Sequence, residues 1–364
     1  MNHIKKYLAI VLSILLLTGC SAKLSSMSTI SGAPEIRVAF VTDISDLNDH
    51  GFNQYAYAGV QEFASQHGAA CQAFQAEDSS PEALKAAIQQ AADQDYDMIV
   101  LAGAIFAQPC LEAAQEHPDN LFLALASTPA DMCAAHIPSN VAMVIHKEEQ
   151  AGFLAGYAAV ADGYRELGFL GGKPVDAVIR YGYGYVQGAE KAAQALDVEN
   201  VHIKYYYSNT FQPSEDIEKR MDAWYQEGTE VVFSCGGAIY QSVLQAADRH
   251  DGKLIGVDVD QSDLSPRFIV SATKSLTNTI LVALNGAVDN NMNWPATYAG
   301  VCQSLGVTEE CVGLAMENAR FRNFDVEMYD VLYKAIVNDS ITVNNSCNPN
   351  VHPPVSHITV DWQS

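Results

Sequence analysis

Positive charge is scarce in this chain. Its 364 residues contain 20 Lys and Arg against 43 Asp and Glu, which gives a formal net charge of −23 at pH 7. A surface this acidic repels phosphate backbones and anionic headgroups, so a nucleic-acid-binding protein and membrane binding through charge are both disfavoured. Hydrophobic residues make up 49% of the chain, which excludes an intrinsically disordered protein.

Long apolar runs are also missing, and the one near the N terminus, Tyr7–Leu17, has eleven residues. A membrane-spanning helix needs roughly 20. Two lysines precede this run and Leu-Thr-Gly-Cys follows it, a pattern typical of an export signal that ends in a bacterial lipobox. We predict that residues 1–20 are a lipoprotein signal peptide, that Cys20 is lipidated, and that residues 21–34 form a flexible tether. The alternative is a cleaved signal with an incidental cysteine.

Cysteines are few, and their spacing fits no known framework. An odd number remains after Cys20, and no CxxC pair occurs, so the pattern indicates neither a zinc site nor a set of disulfides. We interpret most of them as small buried apolar residues. If one pair is oxidised in an exported protein, we expect Cys302 with Cys311. The seven are Cys71, Cys110, Cys133, Cys235, Cys302, Cys311 and Cys347.

Motifs of the common enzyme classes are missing as well. No HExxH, GxSxG, Walker loop or EF-hand loop occurs. Gly182, Gly184 and Gly188 approximate a dinucleotide-binding turn, but their spacing is G-x-G-x-x-x-G instead of G-x-G-x-x-G. We therefore predict no enzymatic activity, no cofactor and no metal site, and we interpret His146 as a polar loop residue.

What is present is a regular alternation of apolar and amphipathic segments. From residue 35 onward, short β-rich runs end in polar or glycine-bearing loops, and helical stretches follow them. Strands that are apolar throughout and separated by helices are typical of parallel sheets covered on both faces. We predict strands at 35–41, 70–74, 97–102, 121–126, 141–146, 167–171, 201–207, 230–235, 254–258 and 268–272.

Helix signals between these runs are explicit. Residues 79–82, Ser-Ser-Pro-Glu, offer a capping box with proline in the first turn. Phe52, Ala56, Val60 and Phe63 recur on one face at the helical period, which predicts an amphipathic helix that starts near Phe52.

This many strand–helix units exceed what one sheet usually holds, so we predict an α/β fold with two doubly wound parallel-sheet lobes joined by a hinge. The first lobe would contain residues 35–145 plus about 275–337, and the second 146–274 plus about 338–364. Residues 291–323 show no clear pattern. Two lobes with several crossovers leave a cleft between them that can close on a small molecule.

Polar and aromatic residues gather where the predicted strands end. Each one singly has an ordinary structural role, as a helix cap, a core residue or a solvated charge. Together they supply an aromatic from each lobe, carboxylates, amides and one lysine, which suits a flat, neutral, hydroxyl-bearing ligand. The candidate ligand-binding residues are Asp43, Asn48, Phe52, Asn53, Phe211, Gly236, Gly237, Asp258 and Lys274.

An ordered series of segments resembles the basic membrane lipoprotein (BMP) family, PnrA-like purine-nucleoside-binding lipoproteins of ABC importers. The resemblance spans about residues 35–340 and implies a type I periplasmic-binding-protein fold. The segments are VTDISDLNDHGFNQYAYAGVQ, NVAMVIHKEEQAGFLAGYAA, LGFLGG, VIRYGYGYVQGA, VVFSCGG, IGVDVDQ and SATKSL.

The resemblance also implies roles for the candidate residues. Phe52 and Phe211 would sandwich the base, and Asp43 and Asn53 would contact its edge or orient it. The ribose would be held by Asp258, Lys274 and the backbone at Gly236 and Gly237. One departure concerns the strand end at Ala126 and Ser127, where the family often has an acidic residue, so the preferred base stays open.

We therefore predict a monomeric receptor, lipid-anchored on the outer face of the cell membrane, that binds a purine nucleoside and delivers it to an ABC permease. One alternative keeps the fold but changes the ligand to a sugar, a modified nucleoside or a signalling molecule. A second alternative is a membrane-tethered sensor that takes no part in transport.

Overall fold

A computed structural model of the chain describes residues 36–44, 47–49 and 51–363. The predicted signal peptide, the tether and Cys20 lie outside the described residues. The helices are α1 (Phe52–His67), α2 (Pro81–Ala92), α3 (Ala107–Glu116), α4 (Glu148–Ala161), α5 (Asp176–Leu196), α6 (Glu215–Gln226), α7 (Tyr240–His250), α8 (Leu276–Asp289) and α9 (Val326–Val337).

The strands alternate with these helices along most of the chain. They are β1 (Arg37–Thr42), β2 (Ala70–Gln75), β3 (Met98–Ala102), β4 (Leu121–Leu125), β5 (Val141–His146), β6 (Glu166–Gly171), β7 (Val201–Tyr207), β8 (Val231–Cys235), β9 (Lys253–Asp258), β10 (Phe268–Lys274), β11 (Cys302–Leu305), β12 (Val312–Leu314) and β13 (Ile358–Trp362).

The strands form two sheets. The first has the order β11-β5-β4-β3-β1-β2 and the second the order β12-β10-β9-β8-β6-β7-β13. Every recorded pairing is parallel except that of β12 with β10. All ten predicted strands are confirmed, and so is the α/β class. Sequence analysis missed β11, β12 and β13, because they are short or carry polar residues among the apolar ones.

Local sequence explains where the helices begin and which face they bury. At the start of α2 the Ser80 hydroxyl accepts a hydrogen bond from the Ala83 amide at 3.3 Å, and proline follows Ser80 directly. On α1, Ala56, Val60 and Phe63 are fully buried, as their spacing predicts. The helix starts are confirmed, but the capping box predicted for residues 79–82 is wrong, because the cap is Ser80 and the residue three positions later is Ala83 instead of an acid.

Over residues 36–363, as far as the structure describes them, the chain passes between the sheets three times. The first passage follows β5, because α4 packs in the core beside the second sheet, and the next follows β10, because α8 packs against the first sheet. The third lies at residues 306–311, between β11 and β12.

This third passage contradicts the predicted boundary near residue 337. Residues 312–314 pair with β10, and Leu332 and Ile336 of α9 are buried in the core of the second sheet. A three-residue antiparallel strand is too short to show a period, so the sequence offered no signal for the return.

Helices α4 and α5 pack so closely that only glycine fits at their contact. A Cβ added to Gly152 would lie 2.1 Å from the Tyr181 carbonyl oxygen, and one added to Gly184 would lie 2.0 Å from that of Glu149. Gly182, Gly184 and Gly188 all lie inside α5. Gly184 and Gly188 therefore serve the packing of α5 on α4, whereas Gly182 faces the Tyr205 and Phe169 side chains of the second sheet, and the three glycines form no dinucleotide-binding turn.

The cysteines differ from two of our predictions. All seven described cysteines are free thiols, and only Cys110, Cys235 and Cys311 are buried. The Cys302 thiol donates to the Ser127 carbonyl oxygen at 3.6 Å, whereas the Cys311 thiol is buried in the core between the first sheet and α8 and donates to the Glu309 carbonyl oxygen at 3.3 Å. The predicted Cys302–Cys311 pair is therefore wrong, as is the prediction that most cysteines are buried.

None of the helices among the described residues combines the length and apolarity that a membrane crossing requires. Within the same residues, no group of three or more His, Cys, Asp or Glu side chains is placed to hold a metal ion.

Candidate ligand-binding site

The candidate residues lie at the carboxyl ends of strands in both sheets. Asp43 directly follows β1, Gly236 follows β8, and Asp258 and Lys274 end β9 and β10. Phe211 lies four residues beyond the end of β7. Ligand sites of open α/β sheets form at this edge, where successive loops meet.

Lys274 is the centre of the first group of candidate residues. Its side chain is 5% exposed, and its Nζ atom lies 3.0 Å from Oδ1 of Asp258, whose side chain is 16% exposed. The same Nζ atom lies 5.0 Å from the centroid of the Phe52 ring. Because Phe52 begins α1 beside the first sheet, this contact joins the two sheets. Three candidate residues that are distant in sequence thus meet at one point.

The charge of Lys274 is maintained by its partners. Burial by itself would lower the pKa of Lys274, but the carboxylates of Asp258 and Glu148 outweigh burial and raise that pKa above its usual value. The ammonium group is therefore charged at physiological pH and forms a neutral pair with Asp258. A buried pair of this kind presents hydrogen-bonding atoms to a ligand without a net charge.

The backbone at Asp258 is strained. Its φ angle is 67°, in the left-handed region, and the Val259 amide donates to the Val257 carbonyl oxygen at 2.8 Å across it. This is a three-residue γ-turn with a positive φ at its centre, which is rare and unfavourable for a residue with a side chain. Backbone strain of this kind often occurs at functional sites.

Phe211 forms the second group with the glycines around it. A Cβ added to Gly172 would lie 2.5 Å from the Phe211 ring, and one added to Gly236 would lie 3.0 Å from it. The Ala238 amide donates to the Phe211 carbonyl oxygen at 2.8 Å. The φ angles of Gly236 and Gly237 are 139° and 55°, which also favour glycine. The Phe211 ring therefore packs against Gly236, and the predicted contact of the Gly236 and Gly237 backbone with a ribose stays a prediction.

Asn53 and Asp49 organise the loop before α1. The Asp49 carboxylate accepts hydrogen bonds from the backbone amides of Gly51, Asn53 and Gln54 at 2.9 to 3.1 Å. It also accepts one from the Asn53 side-chain amide at 3.1 Å, and the Thr42 hydroxyl donates to Asn53 Oδ1 at 3.0 Å. Asn53 is 8% exposed. Its side chain therefore fixes the loop, and Asp49, which we had not assigned, caps the helix.

The two remaining candidates lie on the same loop. Asp43 is half-buried at the end of β1, and Asn48 is exposed. Both are next to the structure that Asp49 and Asn53 stabilise. Their place at the strand edge agrees with the sequence prediction, while their contact with a ligand stays a prediction.

Phe52 and Phe211 are not stacked on each other. Among the described residues no ring contact joins them, and each ring has a lysine nearby. Lys173 Nζ lies 5.8 Å from the centroid of Phe211, as Lys274 Nζ lies 5.0 Å from that of Phe52. A cation at such distances interacts favourably with an aromatic face. The predicted sandwich of a base between both rings stays a prediction.

Sequence analysis missed a buried charged cluster next to the site. Arg180 Nε lies 2.7 Å from Glu148 Oε2, and the two side chains are 7% and 2% exposed. Glu149 Oε2 lies 3.9 Å from the same nitrogen and, among the described residues, has no hydrogen-bond partner. Burial, followed by repulsion from Glu148, raises the pKa of Glu149 to about 7. The sequence signal for this cluster was the presence of charged residues inside otherwise apolar segments, because charged residues are rarely buried unless they are paired.

His146 also differs from our interpretation. It is 3% exposed at the end of β5, and its Nε2 atom lies 2.9 Å from the Thr279 hydroxyl. Burial lowers the pKa of His146 to about 3, so the imidazole is neutral at physiological pH. The residue is a buried strand end and no loop residue, because α8 covers it.

The strand end at Ala126 and Ser127 offers no carboxylate. Ala126 has a φ angle of 53°, and the buried Ser127 hydroxyl donates to the Leu125 carbonyl oxygen at 3.3 Å. The Ser127 side chain is therefore engaged with the backbone two residues before it.

Two surface cavities lie apart from the candidate residues. One, of about 530 Å³, lies near Tyr164 and Arg320, and the other, of about 350 Å³, lies near Tyr329 and Tyr333. None of the nine candidate residues lines either cavity.

Comparison with known proteins gives a consistent result. The model of the family described as "Bmp: ABC transporter substrate-binding protein PnrA-like" matches residues 36–351. Basic membrane protein B of Borrelia garinii subsp. bavariensis is 27% identical over 348 residues, which cover 90% of this chain and 92% of that protein. The ABC transporter nucleoside-binding protein BmpA of Lactococcus lactis is 26% identical over 265 residues, covering 69% of this chain and 72% of that protein.

Two further similarities concern anchoring and fold. An uncharacterized lipoprotein of Pyrococcus abyssi is 24% identical over 315 residues, covering 83% of this chain and 74% of that protein. Among solved structures, an ABC transporter solute-binding protein from Aeropyrum pernix superposes with a TM-score of 0.70 at 19% identity, covering 84% of this chain and 92% of that one. The predicted periplasmic-binding-protein fold is confirmed.

Proposed function

This chain belongs to the Bmp family of PnrA-like ABC transporter substrate-binding proteins, and we propose that its ligand is a purine nucleoside bound at the strand ends of the two sheets. The nucleoside would be received outside the cytoplasm and delivered to an ABC permease. No chemical step is involved, and the affinity arises from stacking, burial and hydrogen bonds.

The observation that carries this proposal is the contact of Lys274 with both Phe52 and Asp258. It places an aromatic ring, which can stack on a base, directly beside a carboxylate–ammonium pair, which can bind vicinal hydroxyls. A nucleoside joins a flat ring to a hydroxylated sugar over the same short distance. Phe211, packed on Gly172 and Gly236, would supply the opposite face of the base when the two sheets approach.

The charges of the site favour a neutral ligand. Lys274 is paired with Asp258, and Arg180 is paired with Glu148. A phosphate group at the ribose end would meet Asp258 without a free arginine in contact with it among the described residues. We therefore expect nucleosides to bind more tightly than their monophosphates.

One observation favours a second candidate ligand. Because Ala126 and Ser127, whose hydroxyl donates to the Leu125 carbonyl oxygen, offer no carboxylate to a base edge, a sugar or a modified nucleoside would lose no contact there. Further parts of the proposal rest on sequence: a lipid on Cys20, a position on the outer face of the cell membrane and a monomeric state. The relative named a lipoprotein supports the lipid anchor. A tethered sensor would use the same site.

Isothermal titration of the purified full-length protein tests the proposal. The ligands would be adenosine, guanosine, a pyrimidine nucleoside, adenosine monophosphate and free ribose. We expect the purine nucleosides to bind tightest, with the monophosphate about a hundredfold weaker and ribose undetectable. Tight ribose binding together with no nucleoside binding would refute the proposal and favour the sugar alternative.

A further inference from the structure

Tyr181 is a buried residue of α5 that reaches the candidate site. It is 1% exposed, and its hydroxyl lies 3.3 Å from Asp258 Oδ1 and 3.5 Å from the Ala272 carbonyl oxygen. The same carboxylate oxygen receives Lys274 Nζ at 3.0 Å. Both recorded donors to Asp258 therefore approach one oxygen atom.

This arrangement determines which part of Asp258 a ligand can use. With Oδ1 occupied by a phenol and an ammonium group, Oδ2 is the oxygen that a ligand hydroxyl can approach, and the side chain is 16% exposed. The two donors that hold Oδ1 come from residues outside the γ-turn at Asp258. The orientation depends on donors from other elements, namely α5 and β10.

The phenol of Tyr181 is a dependable donor. Burial, together with the nearby carboxylates of Asp258 and Glu148, raises the pKa of Tyr181 well above its usual value. Tyr181 is therefore neutral and protonated at any pH at which the protein is active. Its ring also lies 6.0 Å from Lys274 Nζ, so it contacts both members of the pair.

We propose that Tyr181 is a positioning residue that fixes the Asp258 carboxylate with one oxygen filled and the other directed to the ligand. It thereby sets the preference for ligands with vicinal hydroxyls over their deoxy analogues. The proposal rests on the proposed nucleoside function. It concerns selectivity between ligands, which a residue that serves packing alone would not alter.

The chain offers a matched control in Tyr185, one turn further along α5. Tyr185 is fully buried, and among the described residues its hydroxyl has no hydrogen-bond partner. Tyr181→Phe and Tyr185→Phe each remove one oxygen atom from the same helix and keep the ring. Only the first removes a hydrogen bond to Asp258.

The experiment titrates the purified full-length protein and both variants with adenosine and with 2′,3′-dideoxyadenosine, and records a melting curve for each. For Tyr181→Phe we expect adenosine affinity to fall about tenfold while dideoxyadenosine affinity is unchanged, so that the preference for adenosine shrinks. For Tyr185→Phe we expect both affinities to be unchanged.

Other outcomes overturn the inference in distinguishable ways. An unchanged preference in Tyr181→Phe, or an equal loss for both ligands, assigns Tyr181 to packing and leaves the proposed function intact. If Tyr185→Phe lowers the preference as much as Tyr181→Phe, the effect belongs to the helix and not to the Asp258 hydrogen bond. If the unmodified protein binds neither compound, the nucleoside function fails and this inference fails with it.

Discussion

Lys274 Nζ lies 5.0 Å from the centroid of the Phe52 ring, although Lys274 ends β10 of the second sheet and Phe52 begins α1, which packs on the first sheet. The passage from the second sheet to the first begins at the very next residue, Ser275, before α8. The candidate ligand-binding residue Lys274 is therefore adjacent in the chain to a connection between the two sheets. A ligand that contacts Phe52 and Lys274 together would act directly on the relative position of the two sheets.

The first prediction concerns the two aromatic rings. Stacking of a base on an aromatic side chain contributes roughly 1–3 kcal/mol, so Phe52→Ala and Phe211→Ala should each weaken nucleoside binding about tenfold to a hundredfold. Isothermal titration measures the affinity, and a melting curve measures the stability.

Phe106→Ala is the control for these two variants. Phe106 is fully buried in the core of the first sheet, so its loss should lower the free energy of unfolding by about 3–5 kcal/mol. The affinity per folded molecule should be unchanged. Intact affinity in both Phe52→Ala and Phe211→Ala would contradict the sandwich.

The second prediction separates Asp258 from its neighbour Asp260. Asp258→Ala removes a buried acceptor, and ribonucleosides should lose more affinity than dideoxynucleosides. The Asp260 carboxylate accepts from the Ser262 amide and the Asn318 side chain at 2.9 Å each, so Asp260→Ala should affect both ligand types equally. Titration of both variants with matched ligand pairs decides the question. Equal losses in Asp258→Ala would argue against a hydroxyl contact.

The third prediction concerns the packing of α4 on α5. Ala at Gly152 or Gly184 would place its Cβ 2.1 or 2.0 Å from a backbone oxygen of the facing helix. Since backbone atoms cannot move aside singly, each change should cost about 3 kcal/mol or more. Urea unfolding of the variants measures the loss.

Gly286 is the matched control within α8. A Cβ there would find its nearest neighbour, Pro295 Cγ, at 3.5 Å, an ordinary contact distance. Gly286→Ala should therefore stabilise the protein by about 0.5–1 kcal/mol. Tolerance of alanine at both Gly152 and Gly184 would show that the helices pack less closely than described.

The fourth prediction concerns pH. The pKa of Glu149 is raised from its usual 4.5 to about 7, so the folded state favours the protonated acid. The contribution of protonated Glu149 to the free energy of unfolding is fully present below pH 4.5 and is lost as pH rises through about 7. Relative to Glu149→Gln, the unfolding free energy of the unmodified protein should fall by about 3 kcal/mol across this window.

The comparison with Glu149→Gln isolates this effect from that of His146. The pKa of His146 is lowered from 6.5 to about 3, so its contribution is present above pH 6.5 and is lost as pH falls through about 3. That contribution occurs in both proteins and cancels in the difference. Urea unfolding at a series of pH values provides both curves, and a flat difference between them would mean that Glu149 is not buried as an acid.

The fifth prediction concerns the N terminus. Cys20→Ala should abolish incorporation of labelled lipid and release the protein into the medium or leave its signal attached. Cys347→Ala, a change at an exposed thiol, is the control and should be labelled normally. Unchanged labelling of Cys20→Ala would refute lipidation at this residue.

Much of the fold follows from sequence because its signals are local. The ten predicted strands are short β-rich runs in which apolar residues predominate, so each can be recognised in isolation, and Ser80 with Pro81 marks a helix start by its own chemistry. Parallel strands also align their carboxyl ends at one edge. For this reason the candidate residues Asp43, Asp258 and Lys274 could be gathered before any contact was known.

Tertiary structure alone decided the features that depend on a partner far along the chain. Residues 312–337 lie with the second sheet because β12 pairs with β10. A strand of three residues is too short for its sequence to predict that pairing. Gly184 is a packing residue because Glu149 approaches it, and Gly236 is favoured because its φ angle is 139° and the Phe211 ring lies 3.0 Å from where a Cβ would be. The contact of Lys274 with Phe52 belongs to the same class, since it joins a strand of the second sheet to a helix that packs on the first. A periodic pattern records which face of an element is buried, but it carries no information on which distant side chain or backbone atom covers that face.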